Sequence, residues 1–407
     1  MVVERSLNEP GMAETLLVDR PGLADRAGPV ALDEHETRAV EELEASLAAA
    51  GRLPTRGEVR AAIPDRCFEI STTRSLGHLA VSLLITALPV ALAWAFLPIE
   101  LAWLPVWLLY AVVTGTAAIG LWVLAHECGH GAFSRNKALQ DTVGFVLHTS
   151  MLVPYFSWQR SHGVHHAKTN HLTEGETHVP RPAERTATKV TLRSRIGHNG
   201  YALVSLFKML VLGWPAYLLF GATGGPERGM TNHFLPHGPF ESDLFPPRWH
   251  RRVWLSAGGV AVMVAALAAW AVAAGSIWPV LAFYVGPYLV VNAWLVAYTW
   301  LQHSDDDIPH FDVEEWSWLK GAFQTVDRPY GKVIDTLHHR IGSTHVAHHI
   351  DFKIPHYRAD EATQAIAQTF PEWYRYDATP VPRALWRVAG GCVTVEHRAD
   401  GWYYTPK

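Results

Sequence analysis

The segment LWVLAHECGH, residues 121–130, decides the fold of this chain, because a long apolar run ends there and two histidines follow. The run begins at residue 101, and no side chain in it carries a formal charge as far as residue 125. At about 1.5 Å per residue, a helix of this length crosses the roughly 30 Å hydrocarbon layer of a bilayer. Residues 101–125 are therefore predicted to span a membrane.

Three further stretches have the same character, and hydrophobic residues make up 49% of the chain. Residues 76–97, 253–275 and 277–301 are each long enough to cross a bilayer and lack charged side chains. A water-soluble protein would have to bury four such helices that have no polar face, which disfavours that class. We predict an all-α integral membrane protein with four transmembrane helices in two hairpins, interfacial helices and a cytoplasmic histidine-rich cap.

The basic residues predict the orientation of these spans. Five arginines lie between residues 52 and 74, and more basic residues follow the second span, whereas the turns within the hairpins have none. Basic loops tend to stay in the cytoplasm. Both termini and the central segment are therefore expected on the cytoplasmic side, and we expect the membrane to be the cytoplasmic membrane of a bacterium. The net charge of −4 predicts no nucleic-acid partner, and three scattered cysteines predict no disulfide framework.

Four parts follow from this arrangement. We predict a flexible N-terminal tail (1–35), cytoplasmic N-terminal helices (36–75), a membrane domain (76–370) and a cytoplasmic C-terminal tail (371–407). Residues 54–58, PTRGE, are typical of a capped helix start. Residues 142–155 are apolar but too short to span, so they are interpreted as interfacial or re-entrant. Residues 201–220 are interpreted as a helix lying in the membrane surface.

Eight of the 23 histidines fall into three tight clusters. Spacings of three and four residues place side chains on one face of a helix, so each cluster can direct several imidazoles at one point. The first cluster closes the second span, and the others lie in segments assigned to the same side of the membrane. The clustered residues are His126, His130, His162, His165, His166, His345, His348 and His349.

His303, directly after the fourth span, is a ninth candidate. Nine imidazoles exceed what one ion binds, so two transition-metal ions are expected, and imidazole suits iron, zinc, copper or nickel. We take all nine histidines as candidate metal ligands and as candidate catalytic residues. Two metals in a histidine-rich shell beside lipid indicate oxygen chemistry.

The clusters resemble the three histidine boxes of the membrane fatty acid desaturases, in particular the delta-12/omega-3 acyl-lipid branch. The similarity covers roughly residues 76–370. The similar motifs are HECGH (126–130), SHGVHH (161–166), LGWP (212–215), LQH (301–303), IPH (308–310), EWSWLKGA (315–322), TVDRPYG (325–331) and THVAHH (344–349).

This resemblance implies an enzyme with two iron ions and dioxygen as co-substrate that removes two hydrogens from a membrane-embedded fatty acyl lipid. Reduction of dioxygen to water takes four electrons, and the substrate supplies two. The chain has no haem-attachment motif and no cysteine cluster, so a separate donor of the ferredoxin or cytochrome b5 type is expected. Delta-12 and omega-3 positions both stay open, as do hydroxylase, acetylenase and conjugase outcomes.

Two other functional classes, metallopeptidases and metal transporters, are disfavoured. HECGH also matches the short zinc-metalloprotease pattern, with Glu127 as general base, but a peptidase would leave two histidine clusters without a role. A metal transporter would need ionisable residues within its spans. The predicted spans carry no formal charge, which disfavours that class. The acidic group at residues 305–307 is interpreted as a solvated loop rather than a site for a divalent ion. Arg328 is interpreted as a contact for a lipid head group or the electron donor, and an exposed charged surface is the alternative.

Overall fold

The computed structural model describes residues 52–181 and 183–405. The predicted tail and the first part of the predicted N-terminal helices lie outside these residues. The described residues from Thr55 onward belong to one compact unit, and helices dominate it. The helices are α1 (Arg56–Ala62), α2 (Thr72–Phe96), α3 (Leu104–His130), α4 (Lys137–Ser150), α5 (Tyr155–Ala167), α6 (Ala187–Phe207), α7 (Gly213–Phe220), α8 (Pro247–Ala273), α9 (Gly286–His303), α10 (Trp318–Phe323), α11 (Lys332–Leu337), α12 (His345–Ile350), α13 (His356–Thr369) and α14 (Val381–Gly391).

The predicted capped start near residue 55 is confirmed. The Thr55 side chain accepts a hydrogen bond from the Glu58 backbone N–H, and the Glu58 carboxylate accepts one from the Thr55 N–H. This reciprocal capping box satisfies two N–H groups that the first turn of α1 leaves without helical partners. The helix begins where its local sequence predicts.

Helices cover all four predicted spans, and a fifth apolar helical stretch is present. Among the described residues, five helical stretches are long and apolar enough to cross a membrane by length and composition: Thr72–Phe96, Leu101–His130, Ala187–Phe220, Pro247–Ala273 and Trp278–His303. The third of these contains the predicted surface helix. It is interrupted at Gly197, where φ is 73° and ψ is 174°, and by a π turn at Lys208–Leu212. The count of four spans stays a prediction.

The helix α3 is the centre of the apolar part. Of its most apolar window 67% is buried, against 11% for α2 and for α8, and it packs against α2, α4 and α9. Large apolar side chains on the outer helices are exposed, among them Leu84, Phe96 and Val272. Exposed apolar surface on this scale is what a lipid-facing helix presents. The helices therefore indicate association with a membrane.

The polar end of the molecule is built from short helices and one hairpin. Strands β1 (Thr394–Arg398) and β2 (Gly401–Thr405) pair antiparallel, with Val395 opposite Tyr404. Trp402 exchanges two backbone hydrogen bonds with His310, so the hairpin closes over the segment after α9. The helix α14 packs on α6 through a cluster that includes Val388 and Leu301.

The prediction that Arg328 is exposed is wrong, because this residue is completely buried. The prediction of a solvated acidic loop holds for Asp306 and Asp307, which are exposed, and is wrong for Asp305, which is buried. The Arg328 guanidinium donates to Asp305, 3.0 Å away, to Asp377 and to the Leu301 carbonyl oxygen. Arg387 donates to both of these carboxylates as well. Each charge is paired, which is the condition under which a protein interior tolerates them.

Candidate metal centre

Five histidines from three helices meet at the end of α3. His126 and His130 lie on its last turns, and Gly131 ends the helix in the left-handed conformation, with φ of 81°. The two Nε2 atoms are 3.2 Å apart, and His126 Nε2 is 2.9 Å from His162 Nε2 on α5. The group can offer five nitrogen ligands within 4.8 Å of one another, from His126, His130, His162, His166 and His348.

A second group lies beside the first. Its ligand atoms come from His165, His303 and His349, again within 4.8 Å of one another. His303 Nε2 is 3.1 Å from His165 Nε2 and 3.0 Å from His345 Nε2. The SHGVHH motif on α5 therefore contributes to both groups, and so does the THVAHH motif on α12.

All nine predicted histidines are thus brought together, five in the first group, three in the second, and His345 beside His303 of the second group. The ring nitrogens that face one another are 2.9–3.2 Å apart. Two nitrogens at about 2.0–2.1 Å from one metal ion are separated by about this distance. The Nε2 atoms of His348 and His349 are buried and have no hydrogen-bond partner in the described part of the chain. A buried nitrogen without a partner is costly unless a metal binds it, so the donor set fits metal ions.

The environment keeps these imidazoles in the form that binds metal. Burial lowers the pKa of His162, His166, His345 and His349 well below the usual value, with smaller contributions from neighbouring imidazoles. Burial also lowers the pKa of His165 and of His348 to about 3. Metal ligation requires the neutral ring, so the groups are ready to bind metal at neutral pH.

The helix that carries the third box is held by Asp327. The side chain of this buried residue accepts hydrogen bonds from the backbone N–H groups of His345 and Val346, at the start of α12, and from the Tyr374 hydroxyl. Burial raises the pKa of Asp327 to about 7, against the effect of these three donors. Thr169 contacts the same helix at a second position, because its Oγ1 lies 3.0 Å from Nδ1 of His349.

Asp327→Ala is expected to destabilise the protein by about 2–4 kcal/mol, because two buried N–H groups lose their acceptor. Thermal unfolding in detergent, with metal content determined on the same sample, would measure this. Tyr374→Phe removes one of the donors and leaves the cap in place, so it should cost only about 1 kcal/mol. Equal melting temperatures for Asp327→Ala and Tyr374→Phe would contradict the capping role.

An apolar cavity runs from the histidines into the helical core. It is lined by His126, His162, His165, His303 and His345 at one end. Trp122, Trp214 and Val296 contribute to its apolar walls and belong to a buried cluster formed by α3, α5, α7 and α9. An apolar ligand in this cavity would contact histidines of both groups.

One carboxyl group lies in the wall of this cavity. Glu176 is buried, and its Oε1 accepts a hydrogen bond from the Tyr217 hydroxyl, 2.8 Å away. Burial raises the pKa of Glu176 to about 8, although the Tyr217 hydrogen bond opposes the shift. The side chain is therefore mainly protonated at pH 7, which reduces the charge that an apolar ligand would meet.

Glu176→Gln is expected to become more stable relative to the native protein as pH rises from 5 to 9. The pKa of Glu176 is raised on folding, so its favourable contribution is complete below pH 4.5 and is lost as pH rises through 8. The difference should grow by roughly 1.4 kcal/mol per pH unit between these values at most. Melting temperatures across this pH range would measure it.

Glu174→Gln is a matched control for this experiment. Its pKa is lowered, first by the hydrogen bond from Lys168 and then by the charge of Lys168, against the effect of burial. Glutamine there should be less stable than glutamate at neutral pH, the opposite sign. A difference for Glu176→Gln that does not change with pH would contradict a buried, protonated Glu176.

A further histidine group could not be predicted from sequence spacing. His78, His339 and His356 offer ring nitrogens within 4.8 Å of one another, although they come from three distant parts of the chain. His338, by contrast, is held by Tyr298 and by the Thr116 carbonyl oxygen, and is in none of the groups. No local motif marks the group, because its members do not share a helix.

The Glu127 carboxylate contacts His356. Its Oε2 accepts a hydrogen bond from the backbone N–H of His356, 2.9 Å away, and lies 3.4 Å from His356 Nδ1. A metallopeptidase would need this carboxylate beside the metal-bound water. The contact with His356 therefore disfavours the peptidase interpretation.

Comparison with known proteins gives a consistent result. A family model described as fatty acid desaturase matches residues 101–380. The chain is 40% identical to a Delta(12)-fatty-acid desaturase from Vernicia fordii, over 84% of this chain and 88% of the relative. It is 39% identical to a Delta(12)-fatty-acid desaturase from Arabidopsis thaliana, over 85% and 90%. It is also 40% identical to an oleoyl-12-hydroxylase from Ricinus communis, over 84% and 87%. These relatives are plant proteins and lend no support to the expected bacterial origin.

Proposed function

Because this chain belongs to the fatty acid desaturase family, we propose that it is an oxidoreductase that introduces a double bond into a fatty acyl chain, with two iron ions and dioxygen. The proposed ligands are the nine histidines of the two adjacent groups. The observation that carries the proposal is their position at the end of an apolar cavity, where several buried ring nitrogens have no hydrogen-bond partner among the described residues.

The residues of the site would bind the metal ions and the acyl chain and would exclude water. Two iron ions held there would supply the activation of dioxygen and the removal of hydrogen from an unactivated carbon. Trp122, Trp214 and Val296 line the apolar wall that would hold an acyl chain against the histidines. The same wall excludes water, which protects an oxidising site from side reactions. Glu176 would hold a proton at its buried carboxyl group.

The electron balance requires a partner. Four electrons reduce dioxygen to two molecules of water, and the acyl chain gives two when it loses two hydrogens. A separate ferredoxin or cytochrome b5 type protein would give the other two. We place its docking surface on the polar end of the molecule, with both termini and the site on the cytoplasmic side and four spans in the bilayer.

The delta-12 position is the favoured regiochemistry, because two of the relatives described above carry that name. An omega-3 product is the alternative. The hydroxylase relative is no more similar than the desaturases are, so hydroxylation is the second candidate. A lipid-linked acyl chain is the proposed substrate, as the acyl-lipid branch suggests.

The fatty acid profile of a host membrane that expresses the chain would test the function. The host should contain oleoyl lipids and both types of electron donor, and gas chromatography with double-bond location would identify the products. We expect a new diene with its second double bond at the delta-12 position. A hydroxylated acyl chain instead would support the second candidate. An unchanged profile, with iron-loaded protein present in the membrane, would contradict both.

A further inference from the structure

Three histidines outside the nine form a compact group of their own. His78 lies in the second turn of α2, His339 follows α11, and His356 is the first residue of α13. The ring centroid of His356 lies 4.6 Å from that of His78 and 4.5 Å from that of His339. One nitrogen from each ring lies within 4.8 Å of the others. Tetrahedral zinc places its ligand nitrogens about 3.3 Å apart, so small side-chain shifts would close the set.

His356 has the surroundings of a metal ligand. It is buried, and its Nε2 has no hydrogen-bond partner among the residues that the structure describes. Its other ring nitrogen, Nδ1, lies 3.4 Å from the Glu127 carboxylate. Metal-binding histidines usually present one nitrogen to the metal and the other to a carboxylate, which orients the ring and raises its basicity. Glu127 and His356 have this arrangement.

His339 is held in place at a conformational cost. Its φ is 52°, and that of Arg340 is 60°, a region that side chains other than glycine rarely adopt. Ser82 Oγ lies 3.0 Å from His339 Nε2. Close packing on α3 also requires glycine at residue 120, where a Cβ would lie 2.4 Å from the Leu337 carbonyl oxygen. A strained backbone persists only where its surroundings fix it, and such strain is concentrated at functional sites.

The protonation states agree with this arrangement. Burial lowers the pKa of His339 to about 2 and that of His356 to about 3, with smaller effects from neighbouring imidazoles and from Arg74. Both rings are therefore neutral at physiological pH. The group avoids repulsion between imidazolium ions and retains free electron pairs for a metal.

We propose that His78, His339 and His356 bind a divalent transition-metal ion at a site separate from the nine histidines. Zn²⁺ is the favoured ion. Three imidazoles with a carboxylate behind one of them suit zinc, and hard cations such as Mg²⁺ or Ca²⁺ prefer oxygen ligands. The ion joins the start of α2 to the segment before the third box and to the start of α13. Through Glu127, it also fixes the register of the first box.

Metal analysis of the full-length protein in lipid nanodiscs tests the site. The protein would be produced with both iron and Zn²⁺ in the medium, and metals would be counted by mass spectrometry. We expect His339→Gln and His356→Gln each to lose one equivalent of zinc relative to the native protein. His339→Cys should keep it, because a thiolate also binds zinc. His237→Gln, at an exposed histidine outside all these groups, is the matched control and should lose none.

The role of the nine histidines is separable in the same experiment. His162→Ala should lose iron and keep the zinc equivalent, so failure of the di-iron proposal would leave this site intact. Zinc content in His339→Gln and His356→Gln equal to that of His237→Gln would overturn the proposal. If these variants do not fold, the zinc X-ray absorption spectrum of His162→Ala decides. We expect three imidazole nitrogens at about 2.0–2.1 Å, and a spectrum without imidazole ligands would overturn the site.

Discussion

His348→Ala is expected to lower desaturated product at least about a hundredfold, because the first histidine group then loses one of its five proposed ligands. The His348 ring lies 4.6 Å from that of His166 and 4.7 Å from that of His126 between centroids, so it faces the middle of the group. Its buried Nε2 has no partner in the described structure. Changes to residues that only support a ligand cost 10–100-fold, roughly, in metal affinity or activity, and loss of a ligand should cost more.

The product would be measured as new diene per amount of membrane-inserted protein, with iron content from the same preparation. His237→Ala, at an exposed histidine that belongs to neither group, should retain native product and iron. Native levels of product and iron in His348→Ala would remove this residue from the ligand set. The experiment would distinguish a lost ligand from a misfolded chain through the amount of protein in the membrane.

Arg328→Met is expected to destabilise the protein by about 3–5 kcal/mol, because it leaves Asp305 and Asp377 with an incomplete set of partners. Asp305 is buried, and the Arg328 guanidinium contacts both carboxylates as well as the Leu301 carbonyl oxygen. A loss of this size is a large fraction of the 5–15 kcal/mol, roughly, that stabilises a typical protein. The amount of folded protein that accumulates should therefore fall strongly.

Thermal unfolding in detergent and the yield of folded protein would measure this effect. Arg375→Met is the control, because Arg375 pairs at 3.5 Å with Asp307, whose side chain is 74% exposed. An ion pair of that kind contributes about 1 kcal/mol or less. Arg328→Lys should fall between the two, since a single ammonium group cannot reach all the partners of the guanidinium. Equal stability of Arg328→Met and Arg375→Met would contradict a structural role for the buried network.

The long helices and the nine histidines could be predicted because their signals are local. An apolar run of 25 residues defines a helix without reference to the rest of the chain, and spacings of three or four residues define a shared face. The meeting of the boxes follows from the side of the membrane assigned to each. The nearness of His126 to His162 and of His303 to His345 agrees with that reasoning. Their role as ligands stays a prediction.

The remaining features depend on contacts between distant residues. Arg328 was expected at the surface, because charged residues are seldom buried unless they are paired. Its partner Asp377 lies far along the chain, so no local pattern identifies the pair. The same holds for His78 and His356, and for the pairing of Trp402 with His310. Glu127 lies within the first box in sequence, but its carboxylate accepts a hydrogen bond from the backbone N–H of His356, at the start of α13.

The position of Asp377 and Arg387 has a consequence for biosynthesis. Ribosomes make the chain from its N-terminus, so all nine histidines emerge before Asp377, which pairs with Arg328, and before Arg387, which pairs with Asp305 and Asp377. Until then Arg328 and Asp305 lack a complete set of counter-charges, although Asp327 and Thr169, which hold the helix of the third box, have already emerged. The nascent protein thus passes through an interval in which all nine histidines have been made while the buried network around Arg328 is still incomplete.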